Sequence, residues 1–239
     1  MSTTQEQSWR GLPIGAKAFI GLVIAAGMAS LLQAAIHQSS RNIAQFICYL
    51  GVAVLASRLR VTLPGITGTL SVNFLFILVG VAELSYSEAL TLGAVSMLAQ
   101  TIYPSRPSSI QLTFNVCAGA LSTALAYVVY HNSLANELIA SRPLILCLAA
   151  STYFIANAGC TAAVVSFSEG KPLLRILGDC YLWSFPYYLV GAGIAGAIGW
   201  FNHEFNWESS LLFVPAMYVI YRSYRLYLGK LEDQKQHVE

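Results

Sequence analysis

The stretch Leu144–Ser168, LILCLAASTYFIANAGCTAAVVSFS, contains 25 consecutive residues without a charged side chain. A helix needs ~20 mostly apolar residues to cross a bilayer core, so this stretch predicts a membrane span. Seven further runs are mostly apolar, and the two shortest fit if the membrane thins locally. These runs are approximately Ala18–Ile36, Asn42–Ser57, Leu70–Ala82, Ser87–Ile102, Ser109–Tyr130, Tyr181–Phe201 and Ser209–Tyr227. The sequence therefore predicts an all-α, polytopic transmembrane bundle of about eight spans.

The composition agrees with that class of protein. Hydrophobic residues make up 56% of the chain and charged residues 10%, against roughly a quarter charged in a soluble domain. The net charge of +2 forms no basic cluster on a soluble face, so we expect the lipid bilayer, and no nucleic acid, as a partner. We predict a cytoplasmic tail at 1–16, the bundle at 17–227 and a cytoplasmic coiled-coil-like stub at 228–239.

The basic residues predict the orientation in the membrane, because Lys and Arg in short loops resist translocation. With the N-terminus inside, Arg41 and Arg142 are the two basic residues outside, and the other 11 are cytoplasmic. Acidic residues fall in the outside loops, namely Glu83, Glu88, Glu137, Glu204 and Glu208. We therefore expect a multi-pass protein of a bacterial cytoplasmic (inner) membrane, with both termini in the cytoplasm.

The sequence gives no sign of an enzyme. The patterns H-E-x-x-H and G-x-S-x-G and the phosphate-binding glycine loops are absent from the chain. None of the five cysteines belongs to a C-x-x-C pair, so no metal site is indicated. We predict no catalytic residues, no metal and no cofactor.

The stretch Leu63–Phe76, LPGITGTLSVNFLF, precedes an unusually short apolar run. One interpretation is a broken or late-starting helix, of the kind that binds ligands in transporters. The other is a cytoplasmic turn followed by a helix that Thr69 or Ser71 caps.

Polar residues inside apolar runs mark candidate ligand contacts, because uncompensated polar groups are costly in a membrane. The runs contain neutral amides and no mid-membrane charge suited to a proton relay, so a pump is disfavoured. Aromatic residues around Pro186 form either an interfacial belt or a cavity wall. The candidate ligand-binding residues are Asn73, Asn115, Tyr153, Asn157, Trp183 and Tyr187.

Small residues recur at helical spacing in two runs, as Gly191, Ala195 and Gly199 and as Gly21, Ala25 and Ala29. Such spacing lets helix backbones approach closely. We interpret both stripes as packing inside the bundle, with a dimerisation motif as the alternative.

The last segment continues a heptad pattern from the membrane into the cytoplasm. Apolar or aromatic residues recur at spacings of three and four, and the candidate relay and dimer contacts among them are Tyr221, Tyr224, Leu228 and Leu231. A continuous helix of this kind can transmit a shift or rotation. The alternative is a short tail that only anchors the chain at the membrane interface.

Three stretches carry a resemblance to a known group of proteins. They are Leu59–Ser85 (LRVTLPGITGTLSVNFLFILVGVAELS), Ser168–Gly196 (SEGKPLLRILGDCYLWSFPYYLVGAGIAG) and Pro215–Glu239 (PAMYVIYRSYRLYLGKLEDQKQHVE). Together they resemble the N-terminal multi-helix membrane sensor region of bacterial HD-GYP and GGDEF proteins of cyclic di-GMP signalling. The resemblance implies a signalling helix that leads to an output domain. None of that domain's catalytic residues is present in this chain.

These observations predict a transmembrane sensory or regulatory input module. It would detect a small-molecule ligand or a membrane state and relay it, as a homodimer, through its last helix to a cytoplasmic output domain missing from this chain. The alternative function is a small-molecule-binding membrane subunit of a transporter, which needs no paired cytoplasmic helix.

Overall fold

The computed structural model describes residues 11–38, 40, 42–62, 69–102, 107–132, 141–215, 218–219 and 222. The predicted stub at 228–239 lies outside the described residues, as does most of the predicted tail at 1–16. The predicted relay residues Tyr221, Tyr224, Leu228 and Leu231 also lie outside them.

The described chain is helical throughout, apart from one short pair of strands. Its α-helices are α1 (Ile14–Ile36), α2 (Ile43–Ser57), α3 (Asn73–Glu83), α4 (Tyr86–Ile102), α5 (Ser109–His131), α6 (Arg142–Glu169), α7 (Leu173–Ile176) and α8 (Phe185–Phe205). By length and composition, α1, α5 and α6 can cross a membrane, and α2 and α3 are shorter apolar helices. A membrane-compatible helical bundle is thus present, and the number of spans stays a prediction.

Helix α3 lies at the centre of the bundle. It contacts α2, α4, α5, α6 and α8, and every residue from Asn73 to Val81 is buried. A helix that is apolar on all sides needs protein around it, which explains this position. Its 11 residues span about 16 Å, roughly half of a bilayer core. The short predicted span is therefore a core helix of the bundle.

The chain enters α3 through a pair of antiparallel strands, β1 (Arg60–Thr62) and β2 (Thr69–Ser71), in which Val61 lies opposite Leu70. The helix starts at Asn73, three residues after the start predicted at Leu70. Val72 occupies the N-cap position without a side-chain bond, so the predicted cap by Thr69 or Ser71 is wrong. Both residues belong to β2, whose backbone pairs with β1, and the strand ends before the helix begins.

The chain changes its helix type twice before α8 begins. After α7 the chain forms a π-helical turn at Leu177–Tyr181 and a 3-10 turn at Leu182–Ser184 before α8 begins. Pro186 has no N–H to bond to the carbonyl of Leu182, which favours an irregular turn at this point. Asp179 pairs with Arg175 across 3.7 Å, an exposed pair that adds little stability.

The two stripes of small residues have different surroundings. Gly191 lies against the ring of Phe74, as predicted for packing inside the bundle. On α1, however, the stripe of Gly21, Ala25 and Ala29 is exposed, so that packing prediction is wrong. The buried face of α1 passes instead through Ile20, Val23 and Gly27. Ile20 and Val23 share an apolar cluster with residues of α5, and the missing side chain of Gly27 lets the two helices approach closely.

Glu88 is buried at the start of α4, although the sequence places it in an outside loop. It is 5% exposed, and its carboxylate accepts bonds from the Ser85 N–H (3.0 Å), the Ser85 hydroxyl (2.8 Å) and the Ser40 hydroxyl (2.6 Å). The first of these is half of a capping box, which satisfies a backbone donor at the start of a helix.

We expect Glu88→Gln to lower the free energy of unfolding by roughly 2 kcal/mol, since hydrogen bonds to a charged group are worth about 1.5–3 kcal/mol. Thermal unfolding in lipid nanodiscs measures the change. Glu208→Gln is the control, because Glu208 is exposed. Equal unfolding temperatures for the two variants would show that the Glu88 cluster does not stabilise the fold.

Candidate ligand cavity

The predicted ligand-binding residues do not form one site. Asn73 is 3% exposed and donates to Gln100 Oε1 across 2.9 Å, which joins α3 to α4. Asn115 is half-buried on α5, and Trp183 is half-buried in the 3-10 turn that precedes α8. These three residues therefore lie on different elements of the bundle.

Three of the predicted residues, Tyr153, Asn157 and Tyr187, lie together in a packed aromatic cluster. The rings of Tyr187 and Tyr188 lie 4.9 Å and 4.5 Å from the ring of Phe74, and Tyr153 lies 6.2 Å from Tyr188. Asn157 forms a side-chain hydrogen bond with Tyr188. Such contacts stabilise a bundle, and Tyr153 is fully buried among them.

An open cavity lies at the other end of the bundle, at the end of α3. Its volume is about 600 Å³, within the range of ~300–1,000 Å³ typical of ligand pockets. The ends of α3, α5 and α8 and the start of α6 surround it. We call it the Glu83 cavity, and its lining residues are Ala82, Glu83, Tyr130, Arg142, Pro143, Leu146, Ala195, Gly196, Gly199, Trp200, Asn202, His203 and Glu204.

Small residues on α8 create the space. Ala195, Gly196 and Gly199 line the cavity, and a Cβ on Gly196 would meet only Leu146 Cδ2, at 3.6 Å. At about 1.5 Å per residue, Gly196 lies roughly 13 Å below the end of α8 at Phe205. The cavity is therefore a cleft that reaches into the bundle.

Charged groups of both signs face this space. Glu83, the last residue of α3, is half-buried, whereas Arg142, the first residue of α6, is exposed at the mouth. His203 and Glu204 form a rim pair at 4.0 Å. Among the described residues, no ion pair joins Glu83 to Arg142. The two charges share one cavity without neutralising each other in a direct pair.

A chain of hydrogen bonds leads away from the cavity. Asn202 Nδ2 donates to Glu83 Oε2 at 3.2 Å and to the Tyr49 hydroxyl at 2.9 Å, and the Tyr49 and Ser210 hydroxyls are 2.9 Å apart. Ser210 uses its only proton on the Trp207 carbonyl at 2.6 Å, so Tyr49 is the donor to Ser210.

This hydrogen-bond chain joins four elements and leaves one acceptor unsatisfied. It runs from α3 through α8 and α2 to the 3-10 turn Trp207–Leu212. Asn202 Oδ1 is buried without a hydrogen-bond partner among the described residues. A buried acceptor without a donor costs free energy. A change in the surroundings of Asn202 can therefore favour a different orientation of its amide.

Sequence reasoning missed this site. It treated Glu83 and Arg142 as loop charges that report orientation, and it did not single out Asn202 or Tyr49. The available signal was that opposite charges lie next to the predicted outer ends of several spans. Neutral amides were chosen as candidate ligand contacts because an uncompensated amide is unfavourable in a membrane. The Asn73 amide is compensated, since it donates a hydrogen bond to Gln100.

Neither metal binding nor similarity to known proteins identifies the chain further. Within the described ranges, no group of three His, Cys, Asp or Glu side chains is arranged to hold a metal ion. Comparisons with protein-family profiles, curated proteins and solved structures found no match. The resemblance to cyclic di-GMP signalling proteins therefore stays a prediction.

Proposed function

We propose that this protein is a transmembrane input module. It takes up a small polar molecule in the Glu83 cavity and relays occupancy to its last hydrophobic segment. The observation that carries this proposal is the chain from Glu83 through Asn202 and Tyr49 to Ser210, because it connects a cavity to the start of the predicted relay segment.

The relay starts at Glu83, whose Oε2 accepts from Asn202. A ligand that binds Glu83 competes for that oxygen and releases the Asn202 amide. The amide then reorients, which changes what Tyr49 accepts and how firmly Tyr49 holds Ser210. Ligand binding thereby shifts the population between two arrangements of the turn at Trp207–Leu212.

The position in the membrane completes the proposal. The cavity opens to the outside of a bacterial cytoplasmic membrane, and both termini are cytoplasmic. The last helix pairs with that of a second copy through Tyr221, Tyr224, Leu228 and Leu231. A turn or shift of that helix passes the change to a cytoplasmic output domain.

A small-molecule-binding subunit of a transporter is the second candidate, since the cavity alone favours uptake of a ligand. The two functions differ in one respect. The input module needs the cavity and the last helix to be coupled, and the transporter subunit does not.

The test uses Tyr49→Phe, which removes the hydroxyl at the middle of the hydrogen-bond chain. The full-length polypeptide, with its native cysteines replaced and Leu231→Cys spin-labelled, is reconstituted in nanodiscs. The distance between the labels on two copies is then measured. We expect Tyr49→Phe and Glu83→Gln each to shift the distance distribution, and the double variant to shift it no further than one of them, because residues in one network are not additive.

Ser209→Ala and Ser210→Ala are the matched pair on one turn. Ser210 is 4% exposed and belongs to the chain, whereas the Ser209 hydroxyl makes only a 3.5 Å contact to the Phe205 carbonyl. Ser210→Ala should reproduce the Tyr49→Phe shift, and Ser209→Ala should not. An unchanged distribution in Tyr49→Phe, Glu83→Gln and Ser210→Ala, or the absence of a second copy, would rule out the input module.

A further inference from the structure

We infer that the ligand of the Glu83 cavity is a small zwitterion of the amino-acid class, with its ammonium group at Glu83 and its carboxylate at Arg142. The inference rests on the proposed function only in taking this cavity as the ligand site. It adds the chemical class of the ligand and its direction in the cavity.

The charges of the lining select a dipolar ligand. A purely anionic molecule would face the carboxylates of Glu83 and Glu204, and a purely cationic one would face the guanidinium of Arg142. Glu83 and Arg142 both line the cavity, and no direct ion pair joins them among the described residues, so neither charge is satisfied by the other. Charge complementarity of this kind gives specificity more than raw affinity.

The depth of the two groups gives the ligand its direction. Glu83 is half-buried, and its Oε2 is engaged by Asn202. Its Oε1 lies 2.9 Å from where a Cβ on Gly199 would stand, so this oxygen reaches the glycine-lined wall. Arg142 is exposed at the mouth, where its planar guanidinium can hold a carboxylate with two bonds. The ammonium therefore enters first and the carboxylate stays at the mouth.

Arg142 is the cationic group best placed for that carboxylate. The other lining side chain that can carry a positive charge, His203, is exposed, lies 4.0 Å from Glu204 and is cationic only when protonated, whereas the guanidinium of Arg142 is always charged. One guanidinium suits a single carboxylate better than a phosphate ester, which carries nearly two charges.

The remaining lining accepts an apolar side chain. Leu146, Ala195 and Gly196 supply apolar surface beside the charged groups, and Tyr130 and Trp200 supply ring faces. A cavity of about 600 Å³ has room for an aliphatic or aromatic amino acid. Ring faces also attract an ammonium group, which adds to the preference for this class.

The first experiment measures which molecules the protein retains. The full chain in nanodiscs is incubated with millimolar proteinogenic amino acids and glycine betaine, and native mass spectrometry records what remains bound. We expect retention of an amino acid with an apolar side chain. If no amino acid and no betaine is retained, the inference is wrong.

The second experiment separates the two charges with matched probes. Leucine is a zwitterion, leucinamide carries only the positive charge, and N-acetylleucine carries only the negative one. The wild-type chain should bind leucine on the order of tenfold more tightly than either derivative, as expected when one charged contact is lost.

Two substitutions should reverse these preferences. Arg142→Gln should weaken leucine by about tenfold and favour leucinamide, and Glu83→Gln should favour N-acetylleucine. Arg175→Gln is the control, because that exposed arginine pairs with Asp179 away from the cavity. A variant that still prefers leucine as the wild type does would overturn the inference.

The outcomes distinguish this inference from the proposed function. Tight binding of leucinamide or N-acetylleucine, with little binding of leucine, overturns the zwitterion and leaves the input module in place. Binding of leucine with no change in the distance between Leu231→Cys labels supports the zwitterion and overturns the relay.

Discussion

Replacing Gly27 by leucine is expected to lower the free energy of unfolding by about 3 kcal/mol, at the upper end of the cost of overpacking a core. Gly27 is the point of closest approach between α1 and α5. A Cβ there would lie 2.5 Å from the Cys117 carbonyl oxygen and 2.7 Å from its Cα. Because these atoms are backbone, no side-chain rotation relieves the clash, and the two helices must separate.

Thermal unfolding in nanodiscs checks this expectation, with Gly21→Leu as the matched control. Gly21 is on the same helix, it is exposed, and a Cβ there meets nothing within 4 Å. The control should stay within about 0.5 kcal/mol of the wild type. If Gly27→Leu unfolds at the temperature of the control, α1 does not pack on α5 through this glycine.

The long helices were predictable because a run of apolar residues has few alternatives in a membrane. The predicted runs Ser109–Tyr130 and Leu144–Ser168 become α5 (Ser109–His131) and α6 (Arg142–Glu169). The start of α5 was also written in the sequence. Ser108 and Gln111 form a capping box, which satisfies backbone donors in the first turn of α5.

Local interruptions were harder to place, because competing interactions decide them. The register of β1 and β2 delays α3 until Asn73, and no periodicity within Leu63–Phe76 reveals this pairing. At the entry to α8, Pro186 favours an irregular turn because it has no backbone N–H to donate. The helix type changes within Leu177–Ser184, and the exact position of these changes depends on packing against α6 and on the neighbouring turns.

The cavity could not be predicted, because it depends on which helix ends meet. Glu83, Arg142 and Asn202 come from three helices, and periodicity gives a helix its face but not its neighbours. Glu83, Arg142 and Glu204 were assigned to outside loops, whereas each lies in the first or last turn of a helix, and their chemistry was left unused. The role of Asn202 follows from its bonds to Glu83 and Tyr49, which are 119 and 153 residues away in the sequence.

Gly196→Phe is expected to reduce retention of an amino acid by the Glu83 cavity on the order of a hundredfold, because overpacking costs about 1–3 kcal/mol and about 1.4 kcal/mol is a factor of ten. The new Cβ would meet Leu146 Cδ2 at an ordinary 3.6 Å, so the first carbon of the new side chain has room without a shift of the backbone. The ring then occupies the space that Ala195, Gly196 and Gly199 leave open, below the charged groups at the mouth.

Gly193→Phe tests whether position, and not ring size, causes the loss. Gly193 lies three residues earlier on α8, is exposed, and has nothing within 4 Å of a Cβ. Native mass spectrometry with the amino-acid mixture should show retention by Gly193→Phe and loss by Gly196→Phe, at similar unfolding temperatures. Equal retention by both variants would mean that the ligand does not enter between α6 and α8, because a filled cavity cannot hold it.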